Sequence, residues 1–424
     1  MIRFVQPGHP KVTMTSRLAA IYHVHANAAA TIEARAKAIA VEQSVEMPIE
    51  AIDEPSILTD IVGQVEAIEE LPNGLFEVRI GLAVAMMLDS QGNGDGGQLL
   101  NILFGNTSLH ADVVLHDVRL PAELFPKSFS GPHHGIAGLR QRVDASHGAP
   151  HRALTCSALK PQGLSPAQLA GLAERLARGG VDYLKDDHGL ADQLYSPFAE
   201  RVRACADAVR RANLASGHAT QYAPSLSGNL DQLRAQIALA REAGIGTVIV
   251  APMIAGPSNI QALVRDNADI AFIAHPTLAG AARIAPELLI GKLFPLMGAD
   301  AVIFPTYGGR FAYAPDTCKR LAANATSPPP PLRAALPVPA GGMVLARVPE
   351  KLDFYGPDTM LLIGGSLLLA RSVDGGNLRL HPRRRRPCVR IDPDGHRNTR
   401  AGRNRPVARS RTGLSLERRD LRPL

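Results

Sequence analysis

Cysteine is scarce in this 424-residue chain: Cys156, Cys205, Cys318 and Cys388 are its only four. They are scattered with no short metal-ligand spacing, which argues against a disulfide framework and against a zinc site. Long apolar runs are missing as well. No stretch approaches the roughly eighteen consecutive apolar residues of a membrane helix, and the first residues lack the basic, apolar and small-residue series of a secretory signal. A cytoplasmic protein without a membrane partner is therefore expected. Arginine is concentrated at one end. From His381 onward there are fourteen arginines, no lysine and four acids, a local charge of +10 within a chain of net +7, so residues 1–380 carry −3. That tail reads as an unstructured or aberrant end rather than a basic arm for nucleic acid, and no nucleic-acid partner is expected. Residues 1–15 likewise read as an extension.

What is present is the 46% apolar, 20% charged composition of a globular chain, long enough for one barrel-sized domain and a smaller one. Residues 16–145 combine alternating stretches such as RLAAIYHV and GLFEVRIGLAVA with helix-like runs such as TIEARAKAIAVEQSV and GQLLNILFGN, which predicts an α+β domain of ferredoxin-like type. DSQGNGDGG is a loop within it, because its glycines do not follow the strand-to-helix pattern of a dinucleotide fingerprint. SFSGPHHGIAGLRQRV reads as a linker leading into a helix. From residue 152 the pattern changes to eight short apolar runs: RALTCSAL, VDYLK, ATQYAPSL, GTVIVAPM, IAFIAHP, AVIFPT, LPVPAGG and TMLLIGG. Helices such as SPAQLAGLAERLARGG lie between them, starting at Ser or Asn and stopping at Gly as caps prefer. The prediction for residues 146–380 is a (β/α)₈ barrel.

Such barrels carry their chemistry at the C-terminal ends of the strands. Polar and small residues collect there: Lys160, the run Lys185-Asp186-Asp187-His188, His275, Thr306, Gly341-Gly342 and Gly364-Gly365. Lys185, Asp187 and His188 are spaced to converge on one cation such as Mg²⁺, although an ammonium cannot ligate unless it becomes an anion; a salt-bridged cluster is the plain alternative. His275 reads as a general base, a substrate contact or a simple rim histidine. Lys160 is a proton carrier or a rim charge. The two Gly-Gly strand ends suit a phosphate held by backbone N–H groups, or serve only as turns. Arg310, in the glycine-bearing FPTYGGRF, is an anion clamp or a solvated loop residue.

Taken in order, ALKPQGLS, GGVDYLKDDHGL, IAFIAHPTLAG, VPAGG and LLIGGSLL resemble the large chain of RuBisCO over about residues 18–375. The resemblance implies that Lys185 carries a CO₂-derived carbamate and holds Mg²⁺ with Asp187, and that His188 stands where the family has glutamate. It further implies that Lys160 transfers protons, that His275 and Arg310 contact substrate, and that Gly341, Gly342, Gly364 and Gly365 bind phosphate. Glu42 and Asn106 match residues inserted from a partner subunit, so a homodimer with a shared active site is implied. Gln162, Pro276 and Met47-Pro48 replace a lysine, an arginine and a Thr-Trp pair of true carboxylases. The chain therefore resembles the non-carboxylating RuBisCO-like proteins, acting on a small sugar phosphate. Decarboxylation of 3-oxo-isoapionate 4-phosphate is the first expectation. Isomerisation of 5-methylthioribulose 1-phosphate or a methionine-salvage enolase reaction comes second, and a non-catalytic binding role third.

Overall fold

The computed structural model describes residues 13, 15–25, 30–143, 151–311 and 313–369, together with the two-residue strands Leu380–His381 and Cys388–Val389. The expected N-terminal extension and arginine-rich tail lie outside the described residues, apart from these few positions.

Strands β1 (Arg17–His25), β2 (Gln64–Leu71), β3 (Leu75–Ala83) and β4 (Val113–Arg119) form an antiparallel sheet in the order β2-β3-β1-β4. Helix α1 (Ile32–Glu42) follows β1 and helix α2 (Gly96–Phe104) follows β3, which is the βαββαβ order of the ferredoxin-like expectation. Alternation along β1 buries Leu18, Ala20, Tyr22 and Val24 against Ile39, Leu99 and Leu103 from the two helices. Thr31 and Asp95 cap these helices by accepting from Ala34 N–H and Gln98 N–H. The DSQGNGDGG stretch is a turn built on the Asp89 carboxylate and ends at the Asp95 cap.

The chain then enters the barrel through α3 (Gly135–Gln141), whose Leu139 packs among lumen-facing residues of the strands while Tyr183 Oη donates to its carbonyl at 2.7 Å. The expected boundary at residue 145 groups α3 with the N-terminal domain, yet its contacts are with the barrel, because its apolar face covers the open lower end of the strands.

The eight apolar runs become eight parallel strands: β5 (Leu154–Leu159), β6 (Tyr183–Asp186), β7 (Gln221–Ala223), β8 (Thr247–Val250), β9 (Ala271–Ala274), β10 (Ala301–Pro305), β11 (Leu336–Ala340) and β12 (Met360–Leu362). Two four-stranded arrays, β12-β5-β6-β7 and β11-β10-β9-β8, join where Ile249 N–H donates to Pro224 O and where Thr359 Oγ1 donates to Pro337 O, and the ring closes. Both faces of these strands are covered, which is why they read as continuous apolar runs rather than alternating ones. Helices α4 (Pro166–Arg178) and α6 (Leu230–Glu242) begin at capping boxes, Ser165 with Gln168 and Asn229 with Gln232, each contributing about 1 kcal/mol. Helix α5 (Phe198–Ser216) lies beside α4 on the outer side of β6. One apolar core runs from the N-terminal sheet to Leu289, Phe294 and Phe304, fixing the sheet on the barrel wall. Among the described residues no helix is long and apolar enough to cross a membrane.

Candidate active site

β6 carries the site because its side chains alternate in direction. Tyr183 and Lys185 face the lumen with Cys156, whereas Leu184 and Asp186 face the helices. Asp186 is completely buried. It accepts from Arg201 Nε at 3.1 Å, Tyr222 Oη at 2.8 Å and Ser225 N–H at 3.2 Å. Arg201 also has no exposed surface and donates to the carbonyls of Ser196 and Ala191, tying down the loop after β6. Burial pulls the Arg201 guanidinium down, but Asp186 and Tyr222 outweigh it and hold it above its ordinary value. The sequence alone assigns no role to Asp186 or to Arg201, which lies fifteen residues away on another element.

Lys185 is buried almost as fully and donates to the Asp186 carbonyl at 2.6 Å. Burial pulls its ammonium below the ordinary lysine value, against the attraction of Cys156, Asp187 and Asp186. Asp187 sits at the strand mouth. Its Oδ2 lies 2.5 Å from Lys160 Nζ, and its Oδ1 accepts from Gly189 N–H at 3.0 Å and Gln162 Nε2 at 3.2 Å. Burial raises the carboxyl, but the bonds from Lys160, Gly189 and Gln162 prevail and hold it well below the usual carboxylate range. Gln162, marked in the sequence only as the replacement of a lysine, is thus a third residue whose contact the sequence does not reveal. A Cβ on Gly189 would collide with it.

His188 Nδ1 is 3.5 Å from Asp187 Oδ1, and its ring stacks on His275 at 4.4 Å with a 10° tilt. Burial, then Lys185 and His188, push His275 down to about 2, so its ring is neutral. Its Nδ1 is engaged by Thr277 Oγ1 at 2.6 Å, which leaves Nε2 for other partners. Lys160, Lys185, Asp187, His188 and His275 therefore come together at one mouth.

The phosphate candidates lie on the neighbouring strand ends. Gly341 and Gly342 adopt φ of +81° and +95°, a conformation that only glycine takes easily, and they pack under the loop after β10. Gly364 and Gly365 close β12, and a Cβ on either would meet nothing within 4 Å. Arg310 donates its N–H to Gly341 O at 2.9 Å, but its exposed guanidinium lies over the Phe311 ring at 5.5 Å. Among the described residues no hydrogen bond or ion pair joins Arg310 to the lysine–aspartate cluster, so the structure does not bring it there. Glu42 and Asn106 meet each other on the N-terminal domain, with Asn106 Nδ2 donating to Glu42 Oε1 at 3.0 Å. Buried Gln43 holds this arrangement by donating to Asn101 O and Ile102 O and accepting Thr107 N–H.

Among the described residues no three His, Cys, Asp or Glu side chains converge to hold a metal. Asp187 and His188 make a donor set of three only with an oxygen on Lys185, so the residues present fit a hard divalent cation if Lys185 is carbamylated.

Residues 135–309 match the family described as ribulose bisphosphate carboxylase large chain, catalytic domain. The 5-methylthioribulose-1-phosphate isomerase of Rhodospirillum rubrum is 59% identical over 84% of this chain and 93% of its own length. This chain belongs to the RuBisCO-like proteins. The crystal structure of the Rubisco-like protein from Rhodopseudomonas palustris superposes with a TM-score of 0.76 at 54% identity, over 82% of this chain and 94% of that one. The 2,3-diketo-5-methylthiopentyl-1-phosphate enolase of Geobacillus thermodenitrificans is 33% identical over 72% of this RuBisCO-like protein and 76% of its own length.

Proposed function

We propose that this RuBisCO-like protein isomerises 5-methylthioribulose 1-phosphate by moving a proton between neighbouring carbons through an enediolate. The observation that carries this choice is the 59% identity, across 93% of its length, to the R. rubrum isomerase. Decarboxylation of 3-oxo-isoapionate 4-phosphate, ranked first on the sequence alone, draws no support from relatives named as an isomerase and an enolase, and the isomerase takes its place. The five clustered side chains favour an enzyme over a binding protein.

Lys185, as a carbamate, with Asp187 and His188 would hold Mg²⁺. When bound, the cation supplies the Lewis acidity that makes a C–H beside a ketone easier to ionise. Lys185 is buried and its amine is held below the ordinary value, which favours the free amine that attacks CO₂, losing a proton as the carbamate forms. Lys160, with 40% of its side chain exposed, stands at the mouth to relay the proton between the two adjacent substrate carbons. Its contact with Asp187 orients it at the mouth. Neutral His275 offers Nε2 to a substrate hydroxyl. The Gly341-Gly342 and Gly364-Gly365 backbones receive the phosphate, and Arg310 contacts the same end from its loop. Glu42 and Asn106 enter the mouth of a second copy, making the working unit a homodimer. With Gln162 and Pro276 in place of two cationic side chains, a bisphosphate is poorly neutralised, and carboxylation is not the reaction.

The test is incubation of 5-methylthioribulose 1-phosphate with the protein, Mg²⁺ and bicarbonate in D₂O, followed by ¹H NMR. A new isomer carrying solvent deuterium is expected. Inertness toward this ketose together with enolisation of 2,3-diketo-5-methylthiopentyl 1-phosphate would replace the isomerase by the enolase.

A further inference from the structure

The loop after β10 is gripped by one face of a single helical segment. Arg347, Lys351 and Tyr355 are spaced four apart, so they share a face of the segment Leu345–Tyr355. They touch three consecutive loop residues in reverse order. Tyr355 Oη shares a hydrogen bond with Thr306 Oγ1 at 2.9 Å, Lys351 Nζ donates to Tyr307 O at 2.8 Å, and an Arg347 guanidinium N–H donates to Gly308 O at 2.7 Å. Lys351 is 1% exposed, and its Nζ lies 3.1 Å from the centre of the Tyr307 ring, with the Arg347 guanidinium 5.7 Å from the same ring. The nearest carboxylate, Glu350, is 3.8 Å from Lys351 but forms a two-bond pair with Arg347 at 2.7 and 2.8 Å. A buried lysine is thus spent on a loop carbonyl and an aromatic face at close range, while its ion pair with Glu350 is long and shared with Arg347. The far side of the loop is held as well, since Arg310 N–H bonds Gly341 O and a Cβ on Gly309 would collide with that carbonyl.

We infer that Arg347, Lys351 and Tyr355 are positioning residues that latch the Thr306–Arg310 loop onto the Gly341-Gly342 turn, and so set the phosphate end of the site. The inference rests on the reading that this turn and Arg310 serve a phosphorylated substrate. None of the three latch residues touches the reacting atoms. Lys351→Met keeps the aliphatic stem and removes the cation and donor; Arg347→Gln, at a partly exposed position, does the same from the outer end.

Hydrogen exchange of the peptide spanning residues 305–311 in the free protein reads the latch without any substrate. Each variant is expected to exchange there about tenfold faster, with the β6 peptides unchanged. In turnover, KM for the ketose phosphate is expected to rise at least about fivefold, with kcat within about twofold of the unaltered enzyme. Unchanged exchange in both variants would overturn the latch. Faster exchange with KM unmoved would overturn its positioning role. Lack of turnover in the unaltered protein would strike the substrate reading alone, and the exchange result would still decide whether the loop is latched.

Discussion

The outer side of β6 and its lumen end hold two ion pairs built from adjacent aspartates, and the two are finished differently. Asp186 and Arg201 have no exposed surface, and every strong donor around the carboxylate is a fixed part of the fold. Asp187 faces a lysine whose side chain is 40% exposed and His188 at 3.5 Å, beside a Lys185 whose ammonium burial disfavours, so one side of the pair opens to the barrel mouth. A pair sealed on all sides organises structure. A pair with one solvent-reaching partner is available for chemistry. The strand's alternation separates the two by one residue.

The largest effect should come from the lumen side. Lys185→Ala is expected to lower turnover at least about a thousandfold at any bicarbonate concentration, with the circular dichroism spectrum unchanged. Full activity in this variant would erase the distinction. Next, exchanging the two aspartates for asparagine should split stability from activity. Asp186→Asn leaves the Arg201 charge buried without its counter-ion and is expected to cost about 3–5 kcal/mol in urea unfolding. Asp187→Asn keeps an acceptor for Gly189 N–H and leaves the part-exposed Lys160 to water, so it should cost less, about 1–2 kcal/mol, while reducing kcat about a hundredfold or more. Equal destabilisation by both would break the comparison. Gln43→Leu should fall between these extremes, because it strands Thr107 N–H and the Asn101 and Ile102 carbonyls. A loss of about 1–3 kcal/mol in thermal unfolding is expected, with a drop in activity if Glu42 and Asn106 complete a partner's site.

The smallest effect belongs to a partly exposed pair, Arg35 with Asp112. The bonds from Arg35 hold Asp112 below its ordinary carboxylate value. A folded-state value lower than the unfolded one adds stability that is present above the unfolded value of 3.8 and is lost as pH falls through the folded one. Arg35→Gln should therefore cost less than about 1 kcal/mol at pH 7 and nothing at strongly acidic pH, as measured by urea unfolding at both.

The barrel was legible because each of its strands is buried on both faces and so reads as an uninterrupted apolar run; all eight runs coincide with strands, and Ser165 and Asn229 mark helix starts as their side chains dictate. The βαββαβ domain was legible from the change of period between two and 3.6. What escaped depends on contacts between distant residues. The sequence announces the α3 helix, but its place against the strands has meaning only once the barrel exists to receive it. The Asp186–Arg201 pair and the Gln43 lock join separate elements, and the latch spacing of Arg347, Lys351 and Tyr355 has meaning only once the loop lies against it. Within the site, residue type marked the run from Lys185 to His188 as a candidate cation site, whereas its carbamate and the places of Glu42 and Asn106 at a partner's site came from family resemblance alone, and the Glu42–Asn106 bond was not foreseen.

The account turns on Lys185 becoming an oxygen donor. Incubation with ¹³C-labelled bicarbonate and Mg²⁺, methylation to a stable ester and peptide mass spectrometry measure this directly. One label per chain on the peptide containing Lys185, absent from Lys185→Ala, is the predicted result. An unlabelled Lys185 in a sample that turns over its substrate at full rate would contradict it.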